Sequence, residues 1–182
     1  MYIDASLRLR KEFNLKHEDI SEIICTVSPG QLKRNFEPEE VKYTPPNGYA
    51  AISSIPYMVS ASLVEGRLSL AEVTDEKVKD PRILGLARKI TRVEDKSFMD
   101  YRNAAVEIRT KSGQSVKHAQ TDAVGSPDIP ASREMIESKF RSNAGGCMSA
   151  KNMDDIIEMV SNLEQLDDIS SLTALLGNTK ER

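Results

Sequence analysis

The stretch Ser54-Ile55-Pro56-Tyr57-Met58-Val59-Ser60-Ala61-Ser62-Leu63-Val64-Glu65-Gly66 leaves the backbone few alternatives. Proline is favoured in the first turn of a helix, where its missing N–H would be unpaired in any case, and glycine closes helices by entering the left-handed region. Pro56 and Gly66 therefore bound a helix. Ile52, Ile55, Val59 and Leu63 recur at helical spacing as one apolar stripe, while Ser60, Ala61 and Ser62 stay small enough for another backbone to come close. Tyr57 falls in the first turn, where backbone N–H groups point outward and the helix dipole favours negative charge. A phenol beside such an end could serve carboxylate chemistry. The alternative is a tyrosine that plugs a core and hydrogen-bonds a carbonyl.

Elements on either side fit around this helix. Ile3 to Phe13 reads as a short amphipathic helix with no cap before it, so the chain is expected to begin in mid-element. Ile20 to Val27 puts Ile23, Cys25 and Val27 on one face with Ile24 and Thr26 on the other, the pattern of a strand buried on both sides. Gln31 to Gly48 reads as a long loop, punctuated by Pro38, Pro45, Pro46, Asn47 and Gly48, and a long loop in a compact chain is more often functional than idle. Ser69-Leu70-Ala71-Glu72 has the spacing of a capping box, and Asp80-Pro81 opens a helix to about Lys89, followed by a short strand over Thr91 to Glu94. Ala104, Val106, Ile108 and Thr110 alternate with Ala105, Glu107, Arg109 and Lys111, and after the Ser112-Gly113 turn the chain returns over Gln114 to Gln120 as a hairpin. Three helices follow, over Ser132 to Asn143, Asn152 to about Gln165, and Ser170 to Leu176. The expected fold class is α+β: a small, mostly antiparallel sheet of three or four strands with packed helices, then a C-terminal helical tail. Those tail helices present more apolar surface than the sheet can cover.

Chemistry is sparse in the side chains. The 182 residues carry a net charge of only -3, with no tryptophan and 5% aromatics, which argues against nucleic acid and an anionic membrane as partners. No apolar run is long enough to span a bilayer, and no signal core opens the chain. The two cysteines, Cys25 and Cys147, lie far apart and form neither a disulfide framework nor a metal pair, which suits a reducing cytoplasm or organelle matrix. There is no phosphate-cradling glycine loop, HExxH or CxxC, so neither cofactor nor metal is expected. His17 and His118 stand alone and read as surface residues. Asp154-Asp155 and Asp167-Asp168 sit near helix starts, where the dipole accounts for them. Lys42, Lys139 and Arg141 could bind acidic groups, and nothing in the sequence ranks them. From the residues, Tyr57 alone stands above background.

The order of landmarks adds a family. Ile3-Asp4-Ala5, then Asp19-Ile20 leading into a strand, Ser54-Ile55-Pro56-Tyr57 with Gly66, and Asp80-Pro81 with Leu86 and Lys89 resemble the C-terminal part of the MmgE/PrpD family. Gly113, Gly125 with Pro127 and Pro130, Lys139-Phe140, Leu163-Glu164 and Leu172 with Leu175-Leu176 agree with it. Ser142-Asn143-Ala144 and Asn162-Leu163-Glu164-Gln165-Leu166 look like its decarboxylase branch. The family includes 2-methylcitrate dehydratase, cis-aconitate decarboxylase and iminodisuccinate epimerase. The resemblance implies a metal-free lyase, cytoplasmic or of the mitochondrial matrix, acting on a small tricarboxylic acid by dehydration or decarboxylation, and dimeric. Residues 1–18 would link to a helical domain, 19–130 would form an α+β lid, and 131–182 would return to pack on the helical domain. Tyr57 matches the lid tyrosine that faces the substrate pocket and is the one catalytic residue the resemblance transfers. The aspartate, histidines and lysines of the site would lie in the helical domain and in a segment before Ile3-Asp4-Ala5, leaving this part inactive by itself. The alternative is a non-catalytic remnant that acts as a binding or subunit-interaction module.

Overall fold

The structure, a computed structural model, describes residues 1–99 and 103–177. In chain order its elements are α1 (Tyr2–Glu12), β1 (Ile20–Val27), α2 (Pro29–Asn35), α3 (Glu39–Lys42), α4 (Gly48–Ile52), α5 (Ile55–Glu65), α6 (Pro81–Ala87), β2 (Ile90–Glu94), β3 (Ala104–Thr110), β4 (Ser115–Gln120), α7 (Arg133–Ala144), α8 (Ala150–Ser161) and α9 (Ser170–Gly177). They fall into two units, Met1–Pro130 and Ala131–Arg182.

In the first unit the expected hairpin forms the antiparallel pair β3–β4, and β1 lies antiparallel on the other side of β3. The sheet is completed by β2, which pairs with β1 in parallel, giving the order β2-β1-β3-β4. The fold is thus α+β with a mixed sheet. Parallel neighbours need a crossover, and helices α2 to α6 supply it. One sheet face carries Ile23, Cys25, Val27, Val106 and Ile108, all at 0% exposure, against Ala5 and Leu9 of α1 and Val59 and Leu63 of α5. Burying each of the larger side chains stabilises the unit by about 1.5–3 kcal/mol. The second face is only partly covered: Ile24 and Thr26 are half-buried, where the sequence pattern implied burial on both sides.

Helix α5 starts and stops where its residues dictate. Ser54 caps it, its hydroxyl accepting the Tyr57 N–H at 3.0 Å, and Pro56 stands in the first turn. Gly66 ends it in the left-handed conformation, φ 73°, and donates to the Ser62 carbonyl at 2.9 Å. The guanidinium of Arg10 occupies the space that a Cβ on Gly66 would enter. The apolar stripe is shorter than its spacing suggested, because Ile52 belongs to α4 and is 58% exposed.

The segment Gln31 to Gly48 is not the irregular loop its prolines suggested. Ser28 and Gln31 form a capping box with Pro29 at the first helical position, which starts α2. Pro38 precedes α3, and the Asn47 side chain accepts the Ala50 N–H at 2.9 Å to start α4. Residues read as loop punctuation here open helices of four to seven residues. Gly48 is wedged where a Cβ would lie 1.9 Å from the Val73 carbonyl oxygen, and its N–H donates to Asp75 at 2.8 Å.

The second unit is α7, α8 and α9. Ser132 and Ser149 cap α7 and α8 through the Met135 and Asn152 amides. Its buried core is small: Met148, Met153, Ile156 and Leu172, with Phe140, Ala144, Met159 and Leu175 half-covering it. Helix α8 ends at Ser161, short of the Gln165 its sequence suggested, and Val160 and Leu163 are 55% and 46% exposed.

Candidate active site

Among the described residues Tyr57 is the largest side chain at 0% exposure. Helix α5 points its ring into the first unit's core, and the phenol donates to the Glu72 carbonyl at 2.7 Å. Burial, then the negative charges of Asp80, Glu72 and Glu65, push its pKa up to about 12. Such a phenol keeps its proton and acts as a hydrogen-bond donor. The helix end around it is also occupied. Pro56 has no N–H, the Tyr57 amide is on Ser54, and the Ser54 hydroxyl donates to the Lys42 carbonyl. This placement has the geometry of the core-tyrosine alternative.

Glu72 is held by the turn that presents its carbonyl to Tyr57. Its carboxylate is 2% exposed and accepts the Ser69 amide and hydroxyl, both at 2.7 Å, and Arg67 Nε at 3.1 Å. Burial raises its pKa, but the Ser69 and Arg67 donors outweigh burial and hold it below the ordinary value. The capping box foreseen at Ser69 thus fixes the acceptor of the phenol. Beyond it, Glu65 and Asp80 share Lys77 and Arg82. Lys77 Nζ lies 2.7 Å from Glu65 and 3.0 Å from Asp80, and Arg82 lies 2.9 Å from Glu65 and 2.7 Å from Asp80. Arg82 first, then Lys77, hold the Asp80 carboxyl well below the carboxylate range against the opposing effect of burial.

Geometry separates three cations that the sequence left equal. Arg141 pairs with Asp154 at 2.6 Å, and Lys139 is exposed. Lys42 is 8% exposed, and its ammonium donates to the Ser53 carbonyl at 3.1 Å and the Ser53 hydroxyl at 2.7 Å. Burial lowers its pKa. Asn35 joins it on the Ser53 carbonyl at 3.0 Å, so α2 and α3 both brace the turn into α5. No sequence signal announced this, because lysine in a proline-rich stretch ordinarily faces water.

The remaining candidates have local explanations. Asp155 pairs with Lys151 at 3.0 Å, and Asp168 accepts the Ser170 amide at 2.8 Å at the start of α9. His17 contacts Glu18 at 3.2 Å, and His118 is half-buried on β4. Among the described residues no three His, Cys, Asp or Glu side chains could hold a metal ion, and no helix is long and apolar enough to cross a membrane. A cleft of about 770 Å³ lies along β2, lined among others by Glu39, Tyr43, Arg88, Arg92 and Glu94; Tyr57 does not line it. The site thus offers fixed donors and paired carboxylates around α5.

Comparison with known proteins supplies the frame for these residues. Residues 1–165 match the family model of the MmgE/PrpD C-terminal domain. The cis-aconitate decarboxylase of Mus musculus is 27% identical over 135 residues, 72% of this chain and 28% of that protein. The cis-aconitate decarboxylase of Aspergillus terreus is 28% identical over 146 residues, 77% of this chain and 29% of that protein. The mitochondrial 2-methylcitrate dehydratase of Yarrowia lipolytica is 42% identical over 67 residues, 32% of this chain and 13% of that protein. The chain therefore spans under a third of the length of these curated relatives. With one domain model covering α1 through the turn after α8, the chain belongs to the MmgE/PrpD family, and what it holds is that family's C-terminal domain.

Proposed function

We propose that the chain is the C-terminal part of a lyase acting on a small tricarboxylic acid of the methylcitrate or aconitate type. The first unit serves as a lid over substrate held by a helical domain, and the second unit packs on that domain. The observation that carries this reading is the family match over residues 1–165, with relatives named for those two reactions. The second unit supports it: Met135, Ile136, Val160, Leu163, Ile169 and Leu176 are each 46–62% exposed, more large apolar side chains than its core encloses. In this reading the proton-abstracting groups come from the helical domain. Tyr57 contributes as a positioning residue, fixing the Ser69–Glu72 turn against α5 so that the lid closes as a rigid body.

The test is reconstitution. The chain is purified alone and with a helical domain of the family, and turnover of cis-aconitate and 2-methylcitrate is followed. Turnover by the pair and none by the chain alone is the expected result. Turnover by the chain alone would overturn the two-part reading, and no turnover by a stably associated pair would favour the interaction module.

A further inference from the structure

Strand β2 is an outer strand that, among the described residues, pairs with β1 alone. The Ile23 N–H donates to the Lys89 carbonyl at 3.0 Å, and the Asp95 N–H to the Val27 carbonyl at 2.8 Å. Odd-numbered residues of this stretch therefore turn their main chain towards β1, and Ile90, Arg92 and Glu94 turn theirs to the open side. The Ile90 carbonyl confirms the direction, since it accepts the Tyr43 hydroxyl from outside the sheet at 3.1 Å. The amides and carbonyls of Arg92 and Glu94 face the cleft along β2, and none bonds to another described residue. An edge of this kind is a template for one more strand.

Charge selects which strand fits. In an antiparallel pairing of β2 with a copy of itself about a two-fold axis at Val93, Arg92 lies opposite the copy's Glu94 and Glu94 opposite its Arg92. Both are outward-facing residues, so each pair exchanges two main-chain hydrogen bonds, four in all. An axis at Arg92 would set arginine against arginine, and an axis at Glu94 glutamate against glutamate, with like charges directly opposed. Arg92 is already oriented, by Glu39, by the Tyr43 hydroxyl at 3.3 Å and by the Phe36 ring at 5.8 Å. Val93, 52% exposed, sits on the axis and gives the copies an apolar contact at their closest approach.

We propose that β2 is a self-recognition edge, through which two copies of this chain join in the Val93-centred register to form a continuous eight-stranded sheet. Of the registers centred on Arg92, Val93 and Glu94, the charges favour the Val93 one, and the Thr91-centred register would need the Ile90 carbonyl that Tyr43 already occupies. A contact of five residues a side is small, so the association is weak and best trapped covalently.

The test uses the full 182-residue chain carrying Cys147→Ser, with Cys25 buried in the core. On the axis the two Val93 Cα atoms form a non-hydrogen-bonded pair about 4.5 Å apart, within disulfide reach. Val93→Cys should give a disulfide-linked dimer on mild oxidation. Thr91→Cys, on the same face but about 13 Å from its own copy in this register, should stay monomeric. Adding Glu94→Arg to Val93→Cys should slow cross-linking about tenfold by placing arginine opposite Arg92. Far-UV circular dichroism identical to the parent verifies that the variants fold. Cross-linking of Val93→Cys no faster than that of Thr91→Cys, or indifferent to Glu94→Arg, would overturn the proposal, as would an unrelated polypeptide occupying the edge and leaving Val93→Cys monomeric.

Discussion

Replacing Tyr57 by phenylalanine isolates the phenol bond that ties α5 to the Ser69–Glu72 turn. The phenol donates at 2.7 Å to the Glu72 carbonyl, the ring is at 0% exposure, and phenylalanine keeps the ring while removing the donor. A buried acceptor left unpaired costs the full desolvation of that group, about 1–3 kcal/mol, whereas the mean net value of a hydrogen bond is nearer 1 kcal/mol. A loss of about 2 kcal/mol is therefore expected. At about 2 kcal/mol per molar of urea this moves the unfolding midpoint down by about 1 M. The chain has no tryptophan, so the transition is followed by far-UV circular dichroism. In the reconstituted enzyme, turnover per folded molecule should fall only slightly, the effect of a less firmly fixed lid turn rather than of a lost reacting group. An unchanged midpoint would refute the assignment of that bond. Loss of turnover with stability intact would return Tyr57 to the reacting atoms.

The acid dependence of stability has a definite sign. Asp80, Glu65 and Glu72 all have folded pKa values held below ordinary, so their contribution is present above the unfolded carboxylate range near pH 4 and is lost as pH falls towards the folded values. Asp80→Asn, which keeps a capping side chain, should flatten the decline in Tm between about pH 5 and 2.5; the parent slope in the variant would exclude Asp80 as its source. Two glycines should respond oppositely to alanine. Gly48→Ala drives a Cβ into the Val73 carbonyl and should cost about 1–3 kcal/mol, while Gly85→Ala, inside α6 with nothing within 4 Å, should gain about 0.5–1 kcal/mol; equal urea midpoints would refute both. The apolar side chains exposed on the second unit should bind an apolar dye such as ANS, and Ile136→Glu with Leu176→Glu should cut the fluorescence by more than half; an unaltered signal would place the dye elsewhere.

What could be read from the sequence was what nearby residues enforce. The hairpin from Ala104 to Gln120, the capping box at Ser69 and the helix opened by Asp80-Pro81 all stand as their local patterns required. Gln31 to Gly48 was misread because proline and asparagine signal a turn and a helix start alike, and only the partners found by Ser28 and Asn47 decide between them. The parallel pairing of β1 with β2 depends on a crossover of more than sixty residues, which no short-range pattern encodes. Tyr57 stands out in the sequence as a phenol in the first turn of α5. Its partner was not legible, because every residue carries a carbonyl and only the folded turn brings that of Glu72 to the phenol. Lys42 escaped ranking for the same reason: its acceptors belong to Ser53, placed by the junction of α4 and α5.

The sheet also contains a built-in clock. Cys25 lies at 0% exposure in the middle of β1, and burial pushes its thiol up to about 12, whereas Cys147 is only half-buried. An alkylating reagent therefore meets one reactive sulfur in the native chain, beside the α7–α8 turn, and reaches the second only when the strands part. The interval between the first and second mass additions times the opening of β1, with no probe installed.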